Sequence, residues 1–212
     1  MSIAHLRKEY RQSELRRADL DPDPLRQFEK WLQIALQVGV PEPSAMALAT
    51  ADKQGRPSVR MVLLKGVDVR GFSFFTHYDS PKGRDLTQNP QAALVIYWAE
   101  LERQIRVSGK VRQLDQAESA AYFNSRPKGS RLAAWVSPQS QVMPNRHVLE
   151  ERFDQLRDQF PGENIPVPPT WGGYLLQPQE LEFWQGRPNR LHDRFRYTRL
   201  SDQDWRIERL AP

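Results

Sequence analysis

Residues 181–195 read LEFWQGRPNRLHDRF and bring Arg187, Arg190, Arg194, His192 and Trp184 into a segment that starts like a strand and then stops alternating. Positive charge beside an aromatic strand is chemistry for a flat, anionic ligand. Similar groupings recur upstream. Arg60 and Lys65 bracket RMVLLK, Thr76, Ser80 and Lys82 sit in FFTHYDSPK, Arg126 and Ser130 in NSRPKGS, and Gln139 and Ser140 in SPQSQ. A guanidinium fork with hydroxyls and backbone N–H groups is what a phosphate dianion needs once its water is removed. Each pair taken alone reads first as charge on a solvated strand or loop.

Other chemistries find little support. The absence of cysteine removes disulfides, zinc–thiolate sites and thiol nucleophiles, and suits a reducing cytoplasm. His5, His77, His147 and His192 have no ligand spacing, which argues against a metal site. There is no G-x-S-x-G, and neither a Walker loop nor a G-x-G-x-x-G follows a strand, so no glycine cradle holds a nucleotide. A net charge of +5 favours anionic partners: nucleic acid, phosphorylated small molecules or acidic protein surfaces. The basic residues alternate with acidic ones and form no basic helix, which argues against nucleic acid. No run of 18 apolar residues appears, and MSIAHLRKEYRQSELRR is too charged for a secretory leader. The expectation is a soluble cytoplasmic protein with no membrane partner.

The elements that must position these residues follow from periodicity. Residues 1–20 predict a flexible arm, and 21–212 a single domain. Asp23-Pro24 starts a helix carrying Leu25, Phe28, Leu32, Ala35 and Leu36, and Gly39 ends it. AMALATA, SVRMVLLKGV and GFSFFTHY predict consecutive strands, and QAALVIYWAEL a strand buried on both faces. In RQIRVSGKVRQL, Ile105, Val107 and Val111 alternate with Arg106, Ser108, Lys110 and Arg112. Asp115 and Glu118 predict a capping box, and residues 146–160 a second amphipathic helix with Leu149, Phe153, Leu156 and Phe160 as its stripe. A proline-rich loop and three short strands complete the chain. Antiparallel strands with peripheral helices predict an α+β fold built on a barrel. In a regular strand Arg60 and Lys65 face opposite sides, so serving one site requires a bend, which Gly66 permits.

LEFWQ, four intervening residues and RLHDR resemble the C-terminal signature of the pyridoxamine 5'-phosphate oxidases. RMVLLK, LERQIRVSGKV, YFNSRP, AWVSPQSQ, WGGY and DWRIERLAP resemble the same family in the same order, over nearly the whole chain. The resemblance implies a mostly antiparallel, Greek-key-like split β-barrel, a homodimer with FMN at the subunit interface, and oxidation of pyridoxamine or pyridoxine 5'-phosphate to pyridoxal 5'-phosphate. O2 then reoxidises the flavin and yields hydrogen peroxide.

Carried onto matching positions, the implied FMN contacts are Arg60, Met61, Val62, Leu63, Leu64 and Lys65, with Phe75, Thr76, Lys82, Gln104, Gln139, Ser140, Trp184 and Arg194. The implied substrate contacts are Lys65, Tyr122, Arg126 and Ser130 at the phosphate, and Arg190, Leu191 and His192 at the ring. The arm residues Arg7, Lys8, Glu9 and Tyr10 match a segment that closes over substrate in relatives. Arg190, always charged, is implied to orient and stabilise, and His192 to act either as a base for the alcohol or as an orienting hydrogen-bond partner. Two departures stand out. Phe75 replaces a frequent Tyr, and Pro81-Lys82 replaces a usual Arg-Lys pair, predicting weaker retention of FMN. A non-catalytic carrier of FMN or pyridoxal phosphate is the other reading; such a carrier has no need of Arg190 and His192 at this spacing.

Overall fold

The computed structural model describes every residue except Ala4, Arg7 and Gln203. Nine strands form one curled sheet: β1 (Ala45–Ala51), β2 (Pro57–Leu63), β3 (Gly66–Asp68), β4 (Gly71–His77), β5 (Gln91–Trp98), β6 (Arg103–Gln113), β7 (Trp171–Gln185), β8 (Asp193–Arg199) and β9 (Trp205–Leu210). Five α-helices lie around it: α1 (Pro24–Gln37), α2 (Pro81–Gln88), α3 (Gln116–Ser125), α4 (Lys128–Val136) and α5 (His147–Gln159). The sheet order is β2-β1-β5-β6-β7-β4-β3, with β8 pairing β7 and β9 pairing β8, and the strand pairs are antiparallel among the described residues.

β2 and β3 sit at opposite ends of that order although only Leu64 and Lys65 separate them. The Leu64 N–H still bonds Ser44 beside β1, at 2.8 Å, whereas the Lys65 N–H bonds Ser73 of β4, at 2.8 Å. The chain therefore changes partners between these two residues and closes the sheet into a split barrel. This is the bend that Arg60 and Lys65 require; SVRMVLLKGV is two strands rather than one.

The barrel is filled by inward residues, among them Met46, Leu48, Phe72, Phe74, Ile96, Ile105, Val107, Phe183 and Phe195. Helix α1 covers one end with Phe28, Trp31 and Ala35. Its start is set by the Asp23 carboxylate accepting the Leu25 N–H and by Pro24 in the first turn. Gly39, at φ +73°, ends it in a Schellman motif, with Gly39 N–H on Leu36 and Val40 N–H on Ala35. A second cluster of Phe123, Leu132, Ala134, Ile165 and Trp171 lies under α3, α4 and α5, with Phe153, Leu156 and Phe160 packed against it.

Five expectations need correction. β5 is not buried on both faces: burial alternates along it, leaving Gln91, Ala93 and Tyr97 exposed. Helix α4 was not anticipated, because Pro127 at its start offers no side-chain cap. β7 is a long strand of 15 residues rather than a short one, beginning at Trp171. Asp115 caps α3 through the Glu118 N–H at 2.7 Å, but the Glu118 carboxylate turns away to Arg70 instead of closing the box. Leu15 and Leu20, in the arm's second half, are buried in the barrel core.

Candidate active site

The end of β2, the end of β4, α2 and the α3–α4 turn enclose a cavity of about 680 Å3. Its lining includes Arg60, Met61, Val62, Leu63, Lys65, Phe75, Thr76, His77, Lys82, Tyr122, Arg126, Ser130, Gln139, Ser140 and Trp171. Nearly all the proposed phosphate residues upstream of residue 141 thus reach one chamber. Leu64 does not: its side chain is buried in the barrel core, so only its backbone is available there. A groove of comparable size between α1 and Leu64–Val67 is lined by Asp21 and Glu29 together with Arg26, Lys30 and Lys65, so carboxylates stand among its cations.

Among the described residues, Asp85, 3.9 Å from Arg60, is the carboxylate that pairs with a cation of the chamber. The Lys82 ammonium is buried and donates to Gln139 Oε1 (2.7 Å), Thr76 Oγ1 (3.0 Å) and Ser80 Oγ (3.3 Å). No carboxylate pairs with it among the described residues. Burial, aided by the nearby Arg60 charge, pulls its pKa down to about 8. Arg60 is held by Leu48 O, Thr50 Oγ1 and Ser58 Oγ at 2.7–3.1 Å, with Asp85 distant at 3.9 Å. Arg126 stacks over Trp171 at 5.0 Å and leaves Nη1 buried without a hydrogen-bond partner. A buried guanidinium N–H without an acceptor is costly, and an anion delivered to the chamber removes that cost.

One wall is aromatic. Phe75 stacks on Tyr122 with centroids 3.9 Å apart, and Trp171 continues the stack. Gly173 makes room for it, since a Cβ there would lie 2.7 Å from Phe75 and 2.5 Å from Leu114. Sequence reasoning missed His77 and Trp171 as chamber residues. His77 is buried, and its pKa is lowered by burial and by the Lys82 and Arg126 charges. A lone histidine in a strand carried no pattern that could announce it.

The remaining site residues are elsewhere on the same subunit. Gln104, Trp184 and Arg194 form one cross-strand row on β6, β7 and β8. Trp171 and Trp184 stand near opposite ends of β7, separated by roughly 40 Å of extended strand. Arg194 is paired with the buried Glu182 at 2.7 Å, which raises its pKa, and donates to Ala211 O at 2.8 Å. Arg190, Leu191 and His192 lie in the β7–β8 connection, where Asn189 and Arg190 adopt positive φ. His192 packs 4.6 Å from Trp184, and Tyr10 of the arm lies 5.6 Å from Trp184 and 5.8 Å from His192. Lys8 pairs with Glu102, and Glu9 with Arg11. Arg7 lies outside the described residues.

The Arg187 N–H donates to His192 Nδ1 at 3.1 Å. The neutral ring then carries its proton on Nε2. Burial and the charges of Arg190 and Arg194 lower its pKa, so the neutral form persists at physiological pH.

The family model described as pyridoxamine 5'-phosphate oxidase matches residues 32–160, and that of the pyridoxine 5'-phosphate oxidase C-terminal dimerisation region matches residues 171–212. Curated relatives named pyridoxine/pyridoxamine 5'-phosphate oxidase include one from Trichormus variabilis, 52% identical, and one from Ralstonia nicotianae, numbered 1, 55% identical. Both alignments cover 100% of this chain and 99% of the relative. Among solved structures, PhzG from Burkholderia lata 383, in complex with tetrahydrophenazine-1-carboxylic acid, superposes with a TM-score of 0.87 at 36% identity, covering 92% of this chain and 95% of that one. A pyridoxamine 5'-phosphate oxidase-related, FMN-binding protein from Nostoc punctiforme shares the fold, with a TM-score of 0.72 at 22% identity over 90% of this chain and 98% of its own. The chain belongs to the pyridoxamine 5'-phosphate oxidase family.

Proposed function

We propose that this protein is a homodimeric, FMN-dependent oxidase that converts pyridoxamine and pyridoxine 5'-phosphates to pyridoxal 5'-phosphate. Its by-products would be hydrogen peroxide, with ammonia from the amine. The observation that carries the reading is the chamber in which Lys82 has no carboxylate partner and Arg126 keeps an unpartnered buried N–H. That donor set fits phosphate esters. FMN, when bound, supplies the two-electron acceptor that takes hydride from the substrate carbon and is reoxidised by O2.

In this reading Arg60, Lys82, Thr76, Gln139 and Ser140 hold the cofactor phosphate, and Lys65, Tyr122, Arg126 and Ser130 hold the substrate phosphate. Each charge-assisted contact contributes about 1.5–3 kcal/mol, so two anchors together fix the reacting carbon from both ends. Gln104, Trp184, Arg190, His192 and Arg194 come from the partner protomer, since β7 holds them too far from the chamber of their own chain. The outer sheet face supports such pairing. Val59, Met61, Leu63 and Tyr97 are exposed on it, a combination better suited to a second copy than to water. His192 acts as an N–H donor through Nε2 rather than as a base, because Nδ1 is already occupied. Arg190 supplies a fixed positive charge beside it.

The test is to load the purified protein with FMN and supply pyridoxamine 5'-phosphate under air, following aldehyde and peroxide. Formation of both supports the reading. Flavin retention without turnover favours a carrier. Oxidation of a reduced phenazine carboxylate but of neither pyridoxine ester would align the chain with PhzG instead.

A further inference from the structure

Glu102 is a buried carboxylate at an unusual address. It ends the tight turn between β5 and β6 with φ +52°, a conformation that a side chain adopts at some cost. Its backbone carbonyl accepts the Gly186 N–H at 2.8 Å and Gln185 Nε2 at 3.3 Å, which ties the turn to the start of the connection bearing Arg190 and His192. The side chain is spent on the arm. Oε2 accepts the N–H groups of Arg11 (2.8 Å) and Gln12 (3.0 Å), and Oε1 pairs with Lys8 Nζ at 3.4 Å.

These three contacts bracket Tyr10. Its ring lies edge-on to Trp184 and beside His192, and its hydroxyl meets that of Tyr97 at 3.4 Å. Gly186 is what admits the ring, since a Cβ there would lie 2.7 Å from Tyr10 Cγ. Two backbone N–H groups converging on one carboxylate oxygen fix the arm irrespective of its side chains, and the charge makes each bond stronger than a neutral one.

We propose that Glu102 is a positioning residue: a latch that seats the N-terminal arm so that Tyr10 covers Trp184 and His192. The assignment rests on the reading of Trp184 as a flavin contact and of His192 as a substrate-facing group. Glu102 touches neither substrate nor cofactor and acts through the arm. With the arm lifted, the carboxylate keeps no other partner among the described residues.

The test uses the full-length protein and Glu102→Gln, which preserves shape and removes the charge, with Glu102→Ala as a second variant. Native trypsin cleavage after Lys8 and Arg11 is measured beside Tm and substrate kinetics. Release of charge-assisted bonds predicts cleavage faster by on the order of tenfold. Tm should be unchanged, and KM for the pyridoxine ester should rise more than kcat falls. In a Tyr10→Ala background the same Glu102→Gln substitution should leave KM unaltered. Unchanged cleavage in both variants overturns the latch, and faster cleavage with unaltered KM overturns the positioning role. If the protein oxidises no pyridoxine ester, proteolysis still tests the latch, so its failure and that of the proposed function remain distinguishable.

Discussion

FMN affinity should depend on pH through Lys82. The ammonium sits in a chamber with hydroxyl and amide partners only, and burial brings its pKa to about 8. A depression of that size from the ordinary lysine value represents about 3 kcal/mol disfavouring the charged form. A phosphate ester, with its second pKa near 6, is a dianion at neutral pH and above. Docked against Lys82 it stabilises the charged form and raises that pKa again. The sign follows: below about pH 8 the lysine is already protonated, and affinity is flat. Above it, binding must take up a proton, and affinity falls by up to about tenfold per pH unit until the bound-state pKa is reached. Flavin fluorescence titrations of the apoprotein between about pH 7 and 9.5 measure this directly. Lys82→Met should weaken binding by about 1.5–3 kcal/mol at neutral pH, roughly ten- to 150-fold, and abolish the slope. A flat wild-type profile, or an equal slope in Lys82→Met, would refute the reasoning.

Other outcomes follow from the same geometry. Pro81 starts α2 immediately after its Ser80 cap, at the edge of the cation cluster. Pro81→Arg should therefore tighten FMN binding in the same titration, and no gain would end the idea that a cation is missing there. If His192 donates through Nε2, His192→Gln should retain more kcat than His192→Asn, because only the longer amide reaches the Nε2 position. The amine and the alcohol should lose equally; a selective loss on the alcohol would restore the base. Val59 is exposed on the outer face of β2 and lies outside the chamber lining, so Val59→Glu should yield a monomer by gel filtration, without turnover but with Tm little changed. Persistent dimers with full activity would place the interface elsewhere.

Much of this was legible in sequence where a local physical signal existed. Asp23, Pro24 and Gly39 marked α1 because caps are local, and β6 announced itself because polar and apolar residues alternate along it. β5 was misread because Ala93, Val95 and Tyr97 are apolar on the outward face, so the strand reads in sequence as buried on both sides. Helix α4 had no capping side chain to reveal it. In the site, Arg60, Lys82 and Arg126 were legible as cations accompanied by hydroxyls. His77 and Glu102 were not, since each gains its meaning from neighbours remote in sequence: Lys82 and Arg126 for one, the arm for the other.

The two halves of the site are divided by a single strand. β7 begins at Trp171 in the phosphate chamber and runs on to Trp184 beside His192, so the family's signature motifs lie at opposite ends of one continuous element. Barrel closure at Leu64–Lys65 brings dispersed cations together, because it joins the two edges of the sheet at that point. β7 runs as one strand of 15 residues between these two ends. In the proposed homodimer a second copy places its Trp184 end over the first copy's Trp171 end, so that the same residues act on one ligand. The proposal of a partner thus rests on the length of a strand and not on the apolar face alone.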